Sequence, residues 1–499
     1  MTADISFDPR SGAAAASVTH TTPAALEDLV ARAALAADAV ATTSPADRRS
    51  WLTAGADALE ANRSELVRVA DWETALGSSR LDGEVIRTAG QMRFYAGVAV
   101  EGTYLRAVID PATPTTPSIG RTNVPLGPVA VFGASNFPFA FSVFGNDTAS
   151  AIAAGCPAVI KAHPAHPMTS QLTFDLVYTA MVKAGAPEGI ASLVFGYETG
   201  VALVKHPKIA AVAFTGSQAG GMSLWRLANE REVVIPVYAE MGTVNPVVVT
   251  PGAAPDIAKI AQGFVQSFTL GNGQFCTKPG LILAPRGNDT ASAIADALED
   301  VYPQPVMLTR GIANAVTAGV AELQEAGATV VSETASIGAG WSSPTVVLAA
   351  PIDLLRPGSR VLEECFGPVA VVVEYDRLAD ALDAVDNLQG ALAASIMAAE
   401  NDVDTLTVLK HLEREVGRVI VNDWPTGVAF TWAQEHGGPW PATSNPTTTS
   451  VGAAALDRFV RPVAYQGLPD SMLPLPLRAD NPWRIPRRVA GVLKAADPA

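Results

Sequence analysis

The stretch that decides the fold runs from residue 128 to residue 161 and reads PVAVFGASNFPFAFSVFGNDTASAIAAGCPAVIK. It begins with a short apolar run ending at Gly133, continues through a small-residue segment ending at Gly155, and closes with a second apolar run up to Lys161. The two apolar runs predict buried strands, and the small-residue segment predicts a helix between them. Strand, helix and strand at this interval predict a right-handed βαβ unit with parallel strands.

The same alternation continues toward the C-terminus. The pattern predicts a helix over 171–184, and further strands at 193–196 and 211–216. A second α/β stretch covers 247–424, with apolar strand-like runs at 329–331, 369–373 and 418–422. We therefore predict an α/β fold with two parallel sheets.

The segments on either side of these two α/β stretches show different residue patterns. From Pro23 to Tyr95 apolar residues recur at helical spacing, and Ser44 before Pro45 predicts a helix start. The first twenty residues are small and polar, so we predict that they are mobile. Prolines and threonines dominate 111–125 and the tail from Gly437 onward, which predicts an extended arm.

Charge excludes some classes of partner. The chain has 34 Lys and Arg against 49 Asp and Glu, a net charge of −15. Nucleic-acid binding needs a concentrated basic face, and an anionic membrane surface would repel this chain. The start, Met1-Thr2-Ala3-Asp4, lacks the cationic region of a secretory signal, and the apolar runs are too short to span a membrane. We expect a cytoplasmic protein whose partners are neither nucleic acid nor membrane.

The three cysteines are Cys156, Cys276 and Cys365, too far apart for a Cys-x-x-Cys motif. We expect no disulfide framework and no metal site. Cys156 and Cys365 stand beside apolar segments, where a free cysteine is commonly packed in the core. Cys276 lies in the glycine-rich loop 271–277, a setting that suits a nucleophile and a structural residue equally well.

Ligands of parallel sheets bind at the carboxyl ends of the strands, and two polar residues stand at such ends. Glu240 ends the run 233–239 and is a candidate general base or a surface acid. Asn136 follows the first strand and either donates to an oxyanion or serves the turn. The loop 215–221 lacks Gly-x-Gly-x-x-Gly, yet its glycines before a helix could hold a pyrophosphate, as they could serve an ordinary turn.

Together these motifs resemble the aldehyde dehydrogenase superfamily, over nearly the whole chain from about Leu26 to Gln466. The matching motifs stand in the family's order: Asn136-Phe137-Pro138, Val159-Ile160-Lys161, Gly216-Ser217 with Gly221, Glu240-Met241-Gly242, Gly273-Gln274-Phe275-Cys276 and Glu363-Glu364-Cys365-Phe366-Gly367. The branch it resembles most is that of 2,5-dioxovalerate (α-ketoglutarate semialdehyde) dehydrogenases and NADP-dependent fatty aldehyde dehydrogenases. Segments 161–167, 436–439 and 458–462 suggest this branch.

The resemblance implies NAD(P)-dependent oxidation of an aldehyde to an acid through a cysteine thiohemiacetal and a thioester. It assigns the nucleophile to Cys276, the general base to Glu240 and the oxyanion hole to Asn136. It assigns cofactor binding to Lys161, Gly216, Ser217, Gly221, Glu364 and Phe366. Many NAD-using relatives have a glutamate three residues beyond the lysine; here that residue is Pro164, which favours NADP over NAD.

The substrate implied by the resemblance is an aliphatic or aromatic aldehyde, or a semialdehyde such as 2,5-dioxovalerate. Phe137, Ala140, Phe141 and Phe144 are expected to line the aldehyde channel, or else to pack beneath the sheet. A semialdehyde needs a cation for its far carboxylate, and the loop 443–447 contains none. Arg87 and Arg93 could supply that cation or could be surface residues.

The resemblance also implies a domain organisation and an assembly. We expect a cofactor-binding domain of residues 1–106 and 126–245, a catalytic domain of 246–436, and an arm of 107–125 and 437–499. The arm would join a homodimer or homotetramer. Alternatives are a catalytically silent binding protein, a CoA-acylating enzyme and a thiol hydrolase. The retained Cys276, Glu240 and Asn136 favour an enzyme, and Glu240 favours water as the acyl acceptor.

Overall fold

The computed structural model describes residues 2–301, 305–336 and 338–496. The predicted domain ranges also include residues 1, 302–304, 337 and 497–499, which lie outside that description. The N-terminal part consists of β1 (Ala3–Asp8), β2 (Ala13–Thr19), α1 (Pro23–Thr42), α2 (Pro45–Ala61), α3 (Arg63–Thr74) and α4 (Ser78–Glu101). Ser44 caps α2 as predicted: its hydroxyl accepts from the Asp47 amide, and the Asp47 carboxylate accepts from the Ser44 amide.

The prediction that the first twenty residues are mobile is wrong. β1 and β2 pair as an antiparallel hairpin. The Ser6 hydroxyl donates to the buried Glu73 carboxylate at 2.5 Å, and the Thr21 amide donates to the Phe195 carbonyl oxygen at 3.1 Å. Contacts with distant residues, which local composition does not reveal, therefore fix the hairpin.

The first large sheet is five-stranded and parallel, in the order β7-β6-β5-β8-β9. Two strands of a separate arm sheet, β3 (Val108–Asp110) and β4 (Ile119–Pro125), precede it in the chain. The strands of the first large sheet and the helices between them are β5 (Val129–Phe132), α5 (Asn146–Ala154), β6 (Ala158–Lys161), α6 (Pro167–Lys183), β7 (Ala191–Val194), α7 (Tyr197–Lys205), β8 (Ala211–Gly216), α8 (Gln218–Asn229) and β9 (Val237–Met241). The chain reverses its direction across the sheet between β7 and β8. β5 and β8 are thus neighbours whose following loops diverge, which opens a crevice at their carboxyl ends.

The second large sheet is seven-stranded, in the order β12-β13-β14-β11-β10-β15-β16, with β12 antiparallel at its edge. Its elements are β10 (Pro246–Val249), α9 (Ile257–Thr269), β11 (Leu281–Pro285), α10 (Thr290–Val301), α11 (Arg310–Glu325), β12 (Thr329–Glu333), β13 (Val346–Ala350), β14 (Val369–Tyr375), α12 (Leu378–Val385), β15 (Ala394–Met397), α13 (Asp404–Glu415) and β16 (Val419–Val421). The predicted α/β class with two parallel sheets is confirmed, and the element boundaries shift by only a few residues.

A third sheet forms the arm. It adds β17 (Val460–Gln466), β18 (Arg487–Val489) and β19 (Val492–Lys494) to the two early arm strands, in the order β17-β4-β3-β18-β19. The arm sheet begins later than residue 437: Thr443 bridges to Glu240 on β9, and Leu456 and Phe459 are buried in the core of the first domain. Within the described ranges, no helix is both long and apolar enough to cross a membrane.

Candidate active site

A tight loop between α9 and β11 presents Cys276. Gly271, Asn272 and Gly273 all have left-handed backbone conformations, with φ of 59°, 62° and 68°. A side chain at Gly273 would come within 2.3 Å of the carbonyl carbon of Gly367, so only glycine fits there. The loop is thereby pressed against the segment that follows Glu364, and Cys276 is left partly exposed beyond it.

Cys276 faces His436 and Glu240. Its Sγ lies 3.6 Å from Nε2 of His436, and the same nitrogen lies 3.5 Å from Oε2 of Glu240. His436 and Glu240 are 1% and 2% exposed, and neither Glu240 oxygen has a hydrogen-bond partner among the described residues. The three ligand-type atoms lie within 4.8 Å of one another, a spacing that could also hold a metal ion. The expected absence of a metal site stays a prediction.

Burial sets the protonation state of this thiol. Desolvation raises the pKa of Cys276 well above its ordinary value; Glu240 and Glu364 raise it further, and Arg87 opposes them. A thiol with such a pKa is protonated at pH 7 and needs a proton acceptor before it can attack. Nε2 of His436 is in position to be that acceptor, and the Glu240 carboxylate lies beside the same nitrogen.

Asn136 lies beside the cysteine loop. Its side-chain Nδ2 donates to the carbonyl oxygen of Gln274 at 2.8 Å, and its backbone carbonyl accepts from Nη2 of Arg80 at 2.6 Å. An amide nitrogen carries two hydrogens, so a second one remains for an oxyanion formed at Cys276. The structure thus brings Asn136, Glu240 and Cys276 close to one another, and their catalytic roles stay a prediction.

A cavity of about 490 Å³ extends from Cys276 to the carboxyl ends of β5 and β8. It is lined by Gly133, Ala134, Ser135, Asn136, His163, Phe214, Thr215, Gly216, Ser217, Gly220, Gly242, Cys276, Thr309, Gly311, Ile312, Ala315, Glu364 and Phe366. Ser217 caps α8 by accepting from the Gly220 amide. The glycine-rich start of α8 at the cavity wall suits a phosphate-bearing ligand.

Glu364 also lies in the wall of this cavity. A side chain at Gly242 would lie 2.1 Å from Oε2 of Glu364, so that carboxyl lies directly against the Gly242 backbone. Its Oε1 is buried without a partner in the described structure. Burial raises the pKa of Glu364 to about 8; Lys278 opposes the shift and Glu240 adds to it. Because Oε1 of Glu364 is buried at the cavity wall without a partner, it could accept hydrogen bonds from hydroxyl groups of a bound cofactor.

Two predicted cofactor residues are placed differently. Gly216, Ser217, Glu364 and Phe366 line the cavity, but Gly221 is buried where α8 packs on β9, and a side chain there would lie 2.7 Å from the Met241 sulfur. Gly221 therefore permits close helix packing. Lys161, at the end of β6, packs beside Gly200 outside the cavity lining.

An apolar cluster, called here the aromatic cluster, lies next to Cys276 and Asn136. Its buried members are Ala134, Phe137, Ala140, Phe141, Phe275, Val428 and Val451. Three of the predicted channel residues, Phe137, Ala140 and Phe141, belong to it. Phe144 does not: it is fully buried in the core of the first domain and stacks on Phe174 with ring centroids 5.8 Å apart. The prediction that Phe144 lines the aldehyde channel is wrong, because its side chain is packed beneath the sheet.

The other two cysteines are packed in the interior. Cys156 is buried and its thiol donates to the Phe459 carbonyl oxygen at 3.2 Å, while Cys365 is buried against Gly319. Sequence reasoning did not assign roles to His436 or His163. The only local signal for His436 is a histidine before Gly437-Gly438, and the fold is needed to bring it to Cys276.

Comparisons with known proteins were made for the whole chain. The sequence profile of the aldehyde dehydrogenase family matches residues 4–440. Alpha-ketoglutaric semialdehyde dehydrogenase 2 of Azospirillum brasilense is 45% identical over 460 residues, which cover 89% of this chain and 86% of that protein. Alpha-ketoglutaric semialdehyde dehydrogenase of Acinetobacter baylyi is 41% identical over 463 residues, which cover 90% and 88%.

Solved structures show the same fold at low identity. The NAD⁺ complex of an aldehyde dehydrogenase from Bacillus cereus superposes with a TM-score of 0.81 at 22% identity, covering 93% of both chains. An NADP-dependent enzyme from E. coli superposes with a TM-score of 0.80 at 20% identity, covering 93% of this chain and 94% of that one. At these identities the likeness concerns the fold alone.

Proposed function

The chain belongs to the aldehyde dehydrogenase family, and from that premise we propose that it oxidises a semialdehyde of the α-ketoglutaric type to the corresponding dicarboxylic acid with NAD(P). Two relatives that match about nine tenths of this chain are named for that substrate. The main structural support for this chemistry is that the side chains of Cys276, His436 and Glu240 lie next to one another at the end of the long cavity. The aromatic cluster beside them offers room for the carbon chain.

The first step is attack of the Cys276 sulfur on the aldehyde carbon. Because the thiol is protonated at rest, we infer that Nε2 of His436, 3.6 Å from the sulfur, takes the proton as the S–C bond forms. The oxyanion of the thiohemiacetal is held by the side-chain amide of Asn136 and the backbone N–H of Cys276. One such donor is worth about 2.7–4 kcal/mol, so loss of the Asn136 amide should slow turnover by roughly 10²–10³.

The cofactor fits the long cavity. NAD(P), when bound, supplies the oxidant by accepting hydride from the substrate carbon. Residues that would hold it are the start of α8 at Ser217 and Gly220, the carboxyl of Glu364, and Phe366. We also propose that Lys161, at the end of β6, contributes to cofactor binding, as the family resemblance implies. Oxidation leaves a thioester on Cys276.

Glu240 is the residue that we propose for hydrolysis of the thioester. Its two carboxylate oxygens are buried, lack partners among the described residues, and lie next to His436 and Cys276. An acid so placed can take a proton from water that attacks the thioester, which releases the product acid and the free thiol. This role favours hydrolysis over acyl transfer to CoA, and the complete set of reacting groups argues against a silent binding protein.

The choice between NAD and NADP depends on the charges near Lys161. Pro164 is exposed where many NAD-using relatives have an acid, and this absence supports the preference for NADP. The structure adds an acid that sequence reasoning missed, because Asp4 of the N-terminal hairpin acts on Lys161. We propose that both cofactors are used, with NADP favoured and the preference moderated by Asp4.

The test is a panel of aldehydes assayed separately with NAD and NADP, with Cys276→Ala as the blank. The panel pairs α-ketoglutaric semialdehyde with uncharged aldehydes of similar length. We expect reduced cofactor with the wild type, highest kcat/KM for the semialdehyde, and no turnover in Cys276→Ala. Wild-type turnover by the Cys276→Ala variant would refute the nucleophile, and equal kcat/KM for charged and uncharged aldehydes would refute the substrate class.

A further inference from the structure

Helix α4 turns a charged face toward the aromatic cluster. Arg80, Glu84 and Arg87 are spaced four and three residues apart, so they share one side of the helix. Glu84 is buried, and one of its oxygens accepts from the amides of Phe139 and Ala140 at 2.9 and 3.0 Å. Two guanidinium groups and one acid leave this face with a surplus of positive charge beside the reacting cysteine.

Arg80 already has a structural task. Its Nη2 donates to the backbone carbonyl of Asn136 at 2.6 Å, and its guanidinium carbon lies 4.8 Å from the ring centroid of Phe275 and 5.1 Å from that of Phe137. Arg80 therefore holds the Asn136 loop against the cysteine loop.

Arg87 has no comparable task. Its guanidinium carbon lies 5.9 and 5.7 Å from the ring centroids of Phe137 and Phe141. Its Nε and Nη2 are shielded from solvent and have no hydrogen-bond partner among the described residues. A buried guanidinium with unpaired N–H groups is costly unless a ligand pairs with them. Nε and Nη2 form the edge of the guanidinium that binds a carboxylate with two parallel hydrogen bonds.

Arg87 is also electrostatically close to the reacting sulfur. Burial lowers the pKa of the Arg87 guanidinium. Glu84 and, to a smaller extent, Cys276 act in the opposite direction and raise this pKa. The ring of Phe141, which the Arg87 guanidinium contacts, has its centroid 6.5 Å from that of His436, and Nε2 of His436 lies 3.6 Å from the Cys276 sulfur. The unpaired edge therefore lies in the same region as the thiol and the aromatic cluster. An aldehyde whose carbon is attacked at Cys276 has its remaining chain in that region.

Two further arginines, Arg93 and Arg418, have terminal nitrogens that are already paired. Arg93 pairs with Glu60 and Asp57 on the protein surface at 2.6–2.8 Å. Arg418, also near Cys276, donates both terminal nitrogens to the carbonyl oxygens of Gly427 and Pro425, at 3.1 and 2.6 Å. Neither can offer a free two-nitrogen edge to a substrate.

We propose that Arg87 binds the terminal carboxylate of the semialdehyde through Nε–H and Nη2–H, and so selects carboxylate-bearing aldehydes over neutral ones. This inference rests on the proposed function. It locates the cation that the loop 443–447 does not supply, and it makes Phe137 and Phe141 the walls between the carboxylate and the reacting carbon.

The experiment compares wild type, Arg87→Gln, Arg87→Lys and the matched surface control Arg93→Gln. Each is assayed at saturating cofactor with α-ketoglutaric semialdehyde and with pentanal. In Arg87→Gln the ratio of kcat/KM for the semialdehyde to that for pentanal should fall roughly 30-fold or more, mostly through KM, since a buried charge loses its partner. Arg87→Lys should recover part of the ratio, and Arg93→Gln should leave it unchanged.

A second readout is independent of turnover. Binding of glutarate, which carries the carboxylate but no aldehyde, should be measurable by calorimetry with wild type and with Arg93→Gln, and strongly weakened in Arg87→Lys and Arg87→Gln. A wild type that prefers pentanal would refute the proposed function. A wild type that prefers the semialdehyde, but keeps its preference and its glutarate affinity in Arg87→Gln, would refute only the role of Arg87. An equal loss with both substrates would also refute that role, because it would indicate a structural one.

Discussion

At the scale of single residues, the fold brings charged side chains from distant segments to the neighbourhood of the site. Asp4 is the clearest case. One of its oxygens lies 2.9 Å from Nε2 of His20, and the other is buried without a partner in the described ranges. The His20 ring lies on Gly196, where a side chain would come within 2.8 Å of it. This contact keeps the hairpin at the carboxyl ends of β6 and β7.

The Asp4 carboxylate therefore acts on Lys161, which ends β6. Burial lowers the pKa of Lys161, and Asp4 opposes that shift. An acid near a lysine that binds a cofactor ribose would repel a 2′-phosphate. We propose this role for Asp4, which the N-terminal hairpin contributes.

We predict that Asp4→Asn increases the preference for NADP. Removing one negative charge near the phosphate is worth about 1 kcal/mol at solvent-like screening, so the ratio of kcat/KM with NADP to that with NAD should rise about fivefold. Steady-state assays with one aldehyde and the two cofactors measure this ratio. The control is Asp28→Asn, which removes an exposed acid paired with Arg32 on α1. An unchanged ratio in Asp4→Asn would mean that this carboxylate does not face the ribose.

At the scale of secondary-structure elements, Glu73 joins three of them. This buried residue of α3 accepts from the amides of Met168 and Thr169 at 3.0 and 2.7 Å, from the Thr169 hydroxyl at 2.6 Å, and from the Ser6 hydroxyl. The amides of Met168 and Thr169 belong to the first turn of α6, where they have no partner within the helix and where a negative charge is favourable. Glu73 thus links α3, α6 and the N-terminal hairpin.

We predict that Glu73→Ala destabilises the first domain. The substitution leaves two helix amides and two hydroxyls without an acceptor, and the expected loss is about 2–3 kcal/mol in the free energy of unfolding. The shift of the first urea transition, followed by circular dichroism, measures it. Glu65→Ala, an exposed acid on the same helix, should change stability by less than about 0.5 kcal/mol. Equal effects of the two substitutions would contradict the linking role.

The elements also show what the sequence could and could not predict. The strands of both sheets were predictable, because strands buried on both faces are continuous apolar runs, as at 129–132 and 369–375. The hairpin at 3–19 was not, since alanines and serines give a weak strand signal and its partners are distant in sequence. Arg87 and Arg93 lie on one helix, and only the packing of α2 beside α4 shows that Arg93 meets acids while Arg87 turns inward. Similarly, Cys276, Glu240 and Asn136 lie in separate segments of the sequence, and only the packing of the two sheets brings them together.

At the scale of the whole molecule, the arm sheet ends in an exposed edge. β19 pairs on one side with β18, and its Val492 and Leu493 are 63% and 65% exposed. An exposed apolar edge strand is a template for pairing with another chain. The arm is therefore where we place the contact of the homodimer or homotetramer that the family resemblance implies.

We predict that Val492→Asp combined with Leu493→Asp weakens this assembly. Charges on an apolar edge oppose burial against a second copy, so the mass in solution should fall toward that of one chain, 51.6 kDa. Light scattering coupled to size-exclusion chromatography measures the mass. Val403→Asp changes an apolar residue that is 84% exposed directly before α13, and should leave the mass unchanged. If the double variant has the same oligomeric mass as the wild type, the contact between subunits lies elsewhere.

The protonated state of Cys276 also bears on how the enzyme survives oxidative stress. Because burial raises the pKa of this thiol, the resting site holds little thiolate. Peroxide converts thiolates to sulfenic acids and, with further exposure, to forms that the cell does not reduce. An idle enzyme should therefore be damaged slowly, and under the proposed mechanism its sulfur becomes vulnerable mainly while the thiol is deprotonated during turnover. The burial that makes Cys276 depend on a neighbouring base in this proposal would thus also protect the sulfur from oxidation.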